Sequence, residues 1–317
     1  MTWNVKVGDC VELMKSMKAN SVDAIVTDPP YGIGYGGKEW DSSVPGDAWA
    51  NQCFRVLKPG GHLVAFGHAR LIHRLACIVE EASFEIRDQI NWIYYTGYPA
   101  SMAVDVKGFE GYQTALKPAH EPAILARKPL EGTVALNVQK HGTGALNVEA
   151  CRISVADNAW PGHSESEQGS EGVNGKWPAN VYYCAKPSAR ERDRGCHHMK
   201  PRSEEEMTGR RKGSAGIDNP RAGAGRMSGA KNHHPTVKPV KLMSWLCRLV
   251  GGKRGSLILD PFCGSGTTGV AAVCSGFDFI GFDISADYAE ISANRIVGAS
   301  PLFNEATRDL EFLGVKR

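Results

Sequence analysis

No stretch of the chain approaches the ~20 consecutive apolar residues that a membrane-spanning helix needs. No Cys-x-x-Cys pair occurs, and the nine cysteines are an odd, scattered set. Both facts favour reduced thiols in a cytosolic protein over a disulfide framework. The opening Met1-Thr2-Trp3-Asn4-Val5-Lys6 lacks a basic segment running into an apolar one, so no signal peptide is expected. The expected setting is cytoplasmic. Cys184, Cys196, His197, His198, His233 and His234 match no standard spacing of paired metal ligands, so no metal is expected. Charge of one sign is also missing: the formal net charge is only +3.

What is present is a chain of 317 residues, 42% of them hydrophobic, enough for a sizeable core in one large or two ordinary domains. The small net charge is unevenly spread. Lys186 to Lys231 holds 12 Lys/Arg against 6 Asp/Glu, while the rest of the chain is slightly acidic. A basic middle on a near-neutral body suits a segment that binds a polyanion, although a solvated loop has the same composition.

Periodicity divides the chain into three. Over the first hundred residues, strands at 4–7, 23–27, 62–66 and 89–95 alternate with helices at 11–17, 47–57 and 69–82. That alternation predicts a parallel sheet with helices on its faces. His68 and His73 read as helix-surface residues. From about Leu130 to Asn232 the alternation fades into Gly, Ser, Asn and Pro. Order returns with a helix carrying Leu242, Trp245, Leu246, Leu249 and Val250 on one face. A strand at 256–260, another at 279–283 and a surface helix at 288–296 follow.

The chemistry concentrates at two strand ends. The first is Asp28-Pro29-Pro30-Tyr31, after the apolar run Ala24-Ile25-Val26. Each proline holds the residue before it extended, so a carboxylate, a fixed carbonyl and an aromatic face stand side by side. That trio suits a planar amine. Two acceptors that take its hydrogens localise the nitrogen lone pair, and a ring stacks on the attached base. The glycine-rich stretch 32–37 beside it reads as a lid. The second strand end is Asp260-Pro261-Phe262-Cys263-Gly264-Ser265-Gly266, leading into a Val/Ala-rich helix. A strand, a Gly-x-Gly turn and a helix bring backbone close to a nucleotide-like cofactor. Asp283 ends the next strand 17 residues after Gly266, where an acid can accept ribose hydroxyls.

Together the two motifs resemble the amino-methyltransferases of nucleic acids. Their order, with Asp-Pro-Pro-Tyr first and Phe-x-Gly-x-Gly last, resembles the beta class of DNA amino-methyltransferases, over roughly residues 4–130 and 232–297. The resemblance implies an α/β, doubly wound Rossmann-like methyltransferase sheet, mostly parallel and circularly permuted, with an irregular basic insert. It implies a catalytic half (1–130), a target-recognition insert (131–232) and a cofactor half (233–317). S-adenosylmethionine would be the cofactor and double-stranded DNA the partner. A homodimer and a cognate restriction nuclease are compatible with it.

Residue by residue, the resemblance gives Asp28, Pro29, Pro30 and Tyr31 the flipped base. It gives Phe262, Gly264, Ser265 and Gly266 the cofactor, beside Asp260. Asp283 takes the ribose, where many relatives have glutamate, and Asp9 lies near the adenine. Thr236 and Lys238 face the methionine end. Tyr95 and Tyr98 are candidates for the target-base pocket, and Arg210, Arg211 and Lys212 for DNA phosphates. Asp as the first motif residue favours N6 of adenine, with N4 of cytosine as runner-up. An RNA or protein amide methyltransferase shares the Pro-Pro-Tyr device, and a catalytically silent DNA-binding protein is a third reading.

Overall fold

Short apolar strands alternating with amphipathic helices build a sheet that is covered on both faces. The computed structural model describes residues 1–35, 39–97, 101–153, 175–203 and 229–299. The first half contains β1 (Trp3–Val7), α1 (Cys10–Lys15), β2 (Val22–Thr27), α2 (Asp47–Val56), β3 (Leu57–Phe66), α3 (Ile72–Glu81), β4 (Glu85–Ile93) and β5 (His120–Arg127). The middle contributes α4 (Val134–His141), β6 (Val181–Tyr183) and α5 (Ala189–Asp193). The last part is α6 (Val240–Val250), β7 (Leu257–Asp260), α7 (Thr267–Cys274), β8 (Asp278–Asp283) and α8 (Ala286–Ala299). Among the described residues no helix is long and apolar enough to cross a membrane.

The strands form one eight-stranded sheet in the order β1-β8-β7-β2-β3-β5-β4-β6. Only β5 runs against the rest, antiparallel to both β3 and β4. The remaining pairs are parallel. The sheet is therefore mostly parallel and doubly wound, as expected. β2 is buried along its whole length, as a parallel strand covered on both faces must be. Its side chains divide between two cores. Ala24 and Val26 pack with Leu242, Val270 and Ile296 from α6, α7 and α8. Ile25 packs on the other face with Met14, Cys53 and Val79 from α1, α2 and α3.

Three features depart from the pattern read in the sequence. β5 was not anticipated, because Pro122 lies inside it and proline is unwelcome in a central strand. The structure shows why it is tolerated. The last β3 partner of β5 is Phe66, opposite Ala123. The Pro122 carbonyl points to the β3 side and accepts from Gly67 N beyond that strand's end. The missing N–H of Pro122 falls on the same side, so this terminal pair with Gly67 makes one bond where an antiparallel pair makes two, and the ladder to β3 stops there. The middle segment is also more ordered than its composition suggests: β6 extends the sheet beside β4, and Cys151, Tyr182 and Cys184 enter the core. Finally, α8 is not a surface helix. Ala289, Ile291, Ser292, Arg295 and Ile296 are buried, at the three- and four-residue spacings of one helix face.

A buried carboxylate fastens the centre of the sheet. Asp23 accepts from Lys58 Nζ at 2.6 Å and from the Leu257 backbone N at 2.8 Å, tying β2 to the strands on either side. Asp23→Ala leaves both donors without their acceptor. It is expected to destabilise the fold by about 2–3 kcal/mol, read as a lower urea midpoint with an unchanged m-value.

Candidate active site

The carboxyl ends of β1, β2, β3, β4, β7 and β8 and the first residues of β5 lie at one edge of the sheet. There they surround a single cavity of about 650 Å³. Its position follows from topology. From β7 the chain crosses through α7 to β8 on one side, and from β2 through α2 to β3 on the other. Neighbouring strands whose connections diverge leave a crevice beyond their ends, where such sheets bind ligands. Asp28 and the Phe262–Ser265 turn line the same cavity.

One side chain joins the two strand ends. Asp260 accepts from Thr27 Oγ1 at 2.6 Å and from Thr268 Oγ1 at 2.5 Å. Thr27 precedes Asp28, and Thr268 stands in the first turn of α7. Burial pushes the Asp260 carboxyl up to about 6, even though both threonines and the Phe262 N–H favour its ionised form.

The first motif forms a compact polar cluster. Lys238 Nζ reaches Asp28 Oδ2 at 2.5 Å and Glu121 Oε2 at 3.1 Å. The Tyr31 hydroxyl lies 2.8 Å from Asp28 Oδ1 and 3.1 Å from Glu121 Oε2, and accepts from Lys238 at 3.0 Å. Lys186 lies 3.7 Å from the other Glu121 oxygen. Burial raises Asp28, and the neighbouring Lys238 offsets only part of that rise. Glu121 is also penalised by burial, but Lys238 and Lys186 together hold it below the usual carboxylate range. Burial disfavours the Lys238 ammonium, yet the two carboxylates outweigh it and raise its pKa. Trp92 and Tyr94, on one face of β4, line the cavity beside this cluster.

The second motif is a backbone cradle. Gly264 and Gly266 adopt φ of +51° and +76°. A Cβ on Gly264 would lie 2.8 Å from the His234 ring, and one on Gly266 2.7 Å from Ser292 Cα. Only glycine meets both demands. The turn is held from behind by the buried Arg295, which donates to Ser265 O at 2.7 Å and Thr267 Oγ1 at 2.9 Å. In front, Asp283 accepts from Gly264 N and Ser285 N, both at 2.8 Å. Burial pushes the Asp283 carboxyl up to about 6, against the pull of those two N–H groups. Ile284 lines the cavity yet is 72% exposed. Asp9 caps α1 by accepting from Val11 N and Glu12 N, and also lines the cavity.

Most of the residues picked out in the sequence therefore converge: Asp9, Asp28, Pro29, Pro30, Tyr31, Thr236, Lys238, Asp260, Phe262, Gly264, Ser265 and Asp283 share the cavity wall. Gly266 shapes the turn from just outside it. Lys238, expected at the methionine end, makes its ion pairs with Asp28 and Glu121. Tyr95 does not line the cavity. It is 56% exposed and packs on Tyr183. Side chains alternate along β4 and just beyond it, so Trp92 and Tyr94 face inward and Tyr95 turns away. Tyr98, Arg210, Arg211 and Lys212 lie outside the described residues. The supposed lid is tied down as far as Tyr35. The Asp41 carboxylate accepts from the backbone N of Tyr31, Gly32 and Tyr35; Gly36 and Gly37 are outside the described residues. His68 faces the cavity rather than a helix surface. Glu121 was missed because its strand was missed. Arg295 and Asp41 carried no signal beyond being charged residues in otherwise apolar or glycine-rich surroundings.

This geometry agrees with comparisons to known proteins. A family model described as DNA methylase, N6_N4_Mtase, matches residues 22–294. The chain belongs to that family. This methylase is 24% identical to the type II methyltransferase M.HindIII of Haemophilus influenzae, over 91% of its own length and 93% of the relative's. It is 23% identical to the type II methyltransferase M.HpaI of Haemophilus parainfluenzae, over 91% and 72% of the two chains. Among solved structures, the cytosine-N4-specific PvuII DNA methyltransferase superposes with a TM-score of 0.57 at 17% identity, covering 97% of the methylase and 89% of that chain. TTHA0409 of Thermus thermophilus, solved with S-adenosyl-L-methionine, gives 0.54 at 18%, covering 95% and 96%. These structural likenesses show the shared fold. As a member of its family the methylase uses S-adenosylmethionine and acts on DNA.

The cluster makes a stability prediction. Lys238→Met leaves two buried carboxylates facing each other without their shared counter-ion, at an expected cost of about 3 kcal/mol at pH 7. Burial already raises Asp28 above its ordinary value of 3.8 in the unaltered chain, and loss of the Lys238 ammonium should raise it further. A raised acid makes the fold less stable as pH rises through that window, so the deficit should shrink as the pH is lowered toward 4. Urea denaturation of the variant and the unaltered chain across this range measures it.

Proposed function

We propose that this methylase transfers the methyl group of S-adenosylmethionine to the exocyclic N6 of an adenine turned out of duplex DNA. The observation that carries this reading is the single cavity onto which both Asp28 and the Phe262–Ser265 turn open. The site suits the cofactor. Asp283 offers an acceptor at a strand end for ribose hydroxyls, and glycines lacking Cβ let the ligand approach the backbone. Ile284, apolar and exposed at the rim, offers a face for a purine ring. When bound there, S-adenosylmethionine supplies a methyl group on a positively charged sulfur.

The chain's own residues do the rest. Asp28 and the Pro29 carbonyl accept the two amine hydrogens, which draws the nitrogen lone pair out of conjugation with the ring. Tyr31, Trp92 and Tyr94 bound the base and exclude water from it, so the acceptors work in a low dielectric. The nitrogen that gains a methyl must shed a proton, and Asp28, made more basic by burial, is the acceptor at hand. An acid at position 28 favours adenine N6. Cytosine N4 remains the second reading, since the same two acceptors fit that amine and the PvuII enzyme of similar fold is named for it. The type II names of both Haemophilus relatives support modification at a defined DNA sequence, alongside a cognate restriction nuclease.

Sequencing, with modified-base detection, of DNA from cells expressing the chain tests the reading directly; methyladenine in a fixed context is expected. Methylcytosine there would replace the first reading with the second. Asp28→Ala should slow methylation by about 10³-fold while labelled S-adenosylmethionine still binds within about threefold of the original affinity, the equivalent of about half a pKa unit. Equal loss of both would make Asp28 a structural residue.

Asp283 gives a pH signature. Its carboxyl is ionised above about 6, and hydroxyl donors prefer the ionised form. Cofactor affinity should therefore fall as pH drops below that value. In Asp283→Asn, affinity should be lower at pH 7.5 and no longer follow this pH dependence. Equilibrium binding from pH 5 to 8 measures both.

A further inference from the structure

Asp28 is already engaged. One of its oxygens holds the Lys238 ammonium at 2.5 Å and the other lies 2.8 Å from the Tyr31 hydroxyl. Each oxygen keeps a second lone pair, but an amine that is to be gripped tightly by Asp28 competes with these two donors for the carboxylate's charge. Lys238 is largely withdrawn from water, with its side chain only 6% exposed. Its ammonium is roofed by aromatic rings, with the centroids of Phe66, Tyr31 and Trp92 at 5.0, 5.3 and 6.0 Å. A buried ammonium without an anion is strongly disfavoured. The charge can leave Asp28 only if a second carboxylate is within reach.

Glu121 is that carboxylate. Its Oε2 lies 3.1 Å from the same ammonium and 3.1 Å from the Tyr31 hydroxyl. The lysine and the tyrosine thus each touch both acids. Tyr31 has a single hydroxyl proton and can point it at only one acid at a time. Glu121 is fixed in place by the sheet, in register with Trp92 on β4. Lys186 stands on its far oxygen and leaves the near one facing Lys238.

We propose that Glu121 is a positioning residue for methyl transfer: it receives the Lys238 ammonium and the Tyr31 hydroxyl proton when the target amine takes their place on Asp28. The proposal rests on the amine-methylation reading and deepens it. No bond is made or broken in the exchange. The cluster keeps its charge, and two hydrogen-bond donors shift from one acid to the other. Before the base arrives, Lys238 keeps the buried Asp28 paired. Once the base is seated, Asp28 is free to accept from the amine without leaving a stranded cation.

The test uses the full chain, S-adenosylmethionine and a duplex bearing the mapped recognition site, in single-turnover methylation. Glu121→Gln is close in size and cannot take the ammonium's charge. It should slow methyl transfer at saturating DNA by at least about tenfold, the equivalent of one pKa unit of extra hold on Asp28. Cofactor affinity should stay close to that of the unaltered chain, and the variant should remain folded at the assay temperature. Glu121→Asp, which keeps the charge, should recover most of the rate. In Glu121→Gln/Lys238→Gln there is no ammonium to relocate, so the loss caused by removing Glu121 should largely disappear relative to Lys238→Gln alone.

An equal loss from Glu121→Gln in both lysine backgrounds would overturn the exchange, since Glu121 would then act on the base or on the fold. A weakened DNA KM with an unchanged transfer rate would overturn it too. A crystal structure of the chain with a cofactor analogue and the duplex provides a second check: Nζ of Lys238 should bond Glu121 and not Asp28, and an unbroken pair with Asp28 refutes the proposal. These outcomes are distinct from a failure of the functional reading, which would appear as absent DNA methylation by the unaltered chain.

Discussion

Asp260 takes hydrogen bonds from two sides, Thr27 at the end of β2 and Thr268 at the start of α7. The two threonines belong to the two motifs that carry the chemistry, and 233 residues separate Thr27 from Asp260. All three residues are buried, so water cannot substitute for either bond. The contact therefore does more than add stability. It fixes where the carboxylate at position 28 stands relative to the Phe262–Ser265 turn, and the geometry of the proposed active site depends on that relation.

Around this anchor the site handles charge in two ways. Asp283 and Asp260 are single carboxylates, pushed up by burial and moderated by N–H and O–H donors. Asp28 and Glu121 instead share one ammonium and one phenol hydroxyl. The first arrangement offers fixed acceptors to a ligand. In the proposed reaction the second keeps Asp28 neutralised while it has nothing to hold. A buried ion cluster of this kind is weak evidence for stability; its value here is that its members have alternative partners at similar distances.

The fold and most of the site could be read from local signals. Asp-Pro-Pro-Tyr and Phe-x-Gly-x-Gly are contiguous in sequence, and their structural demands are local: a proline-locked strand end, and glycines with positive φ. Family resemblance then gave them roles, and both open onto one cavity. What could not be read depends on long-range pairing. Glu121 lies on a strand disguised by Pro122, and that proline is tolerated because the bond it cannot make falls at the last pair of the ladder to β3. Tyr95 was preferred to Tyr94 because composition marks a cluster of aromatics without saying which side of the sheet each faces. Asp41 pins the glycine-rich stretch after Tyr31 through main-chain bonds that no sequence pattern announces, so a loop read as mobile is anchored in its described part. The helix at the end of the described chain was taken as exposed because its buried face is made of Ala, Ser and Arg as much as of Ile.

The pairing of β2 with β7, Ala24 beside Ile258 and Ile25 beside Leu259, has a further consequence. Neighbouring strands stand about 4.8 Å apart wherever they occur. The carboxylate end of one strand and the glycine turn of the next are therefore spaced by a dimension of the β-sheet itself rather than by loop conformation. The connecting segments can be lengthened, exchanged or lost while the span between the two strand ends keeps its length, because the backbone ladder sets it.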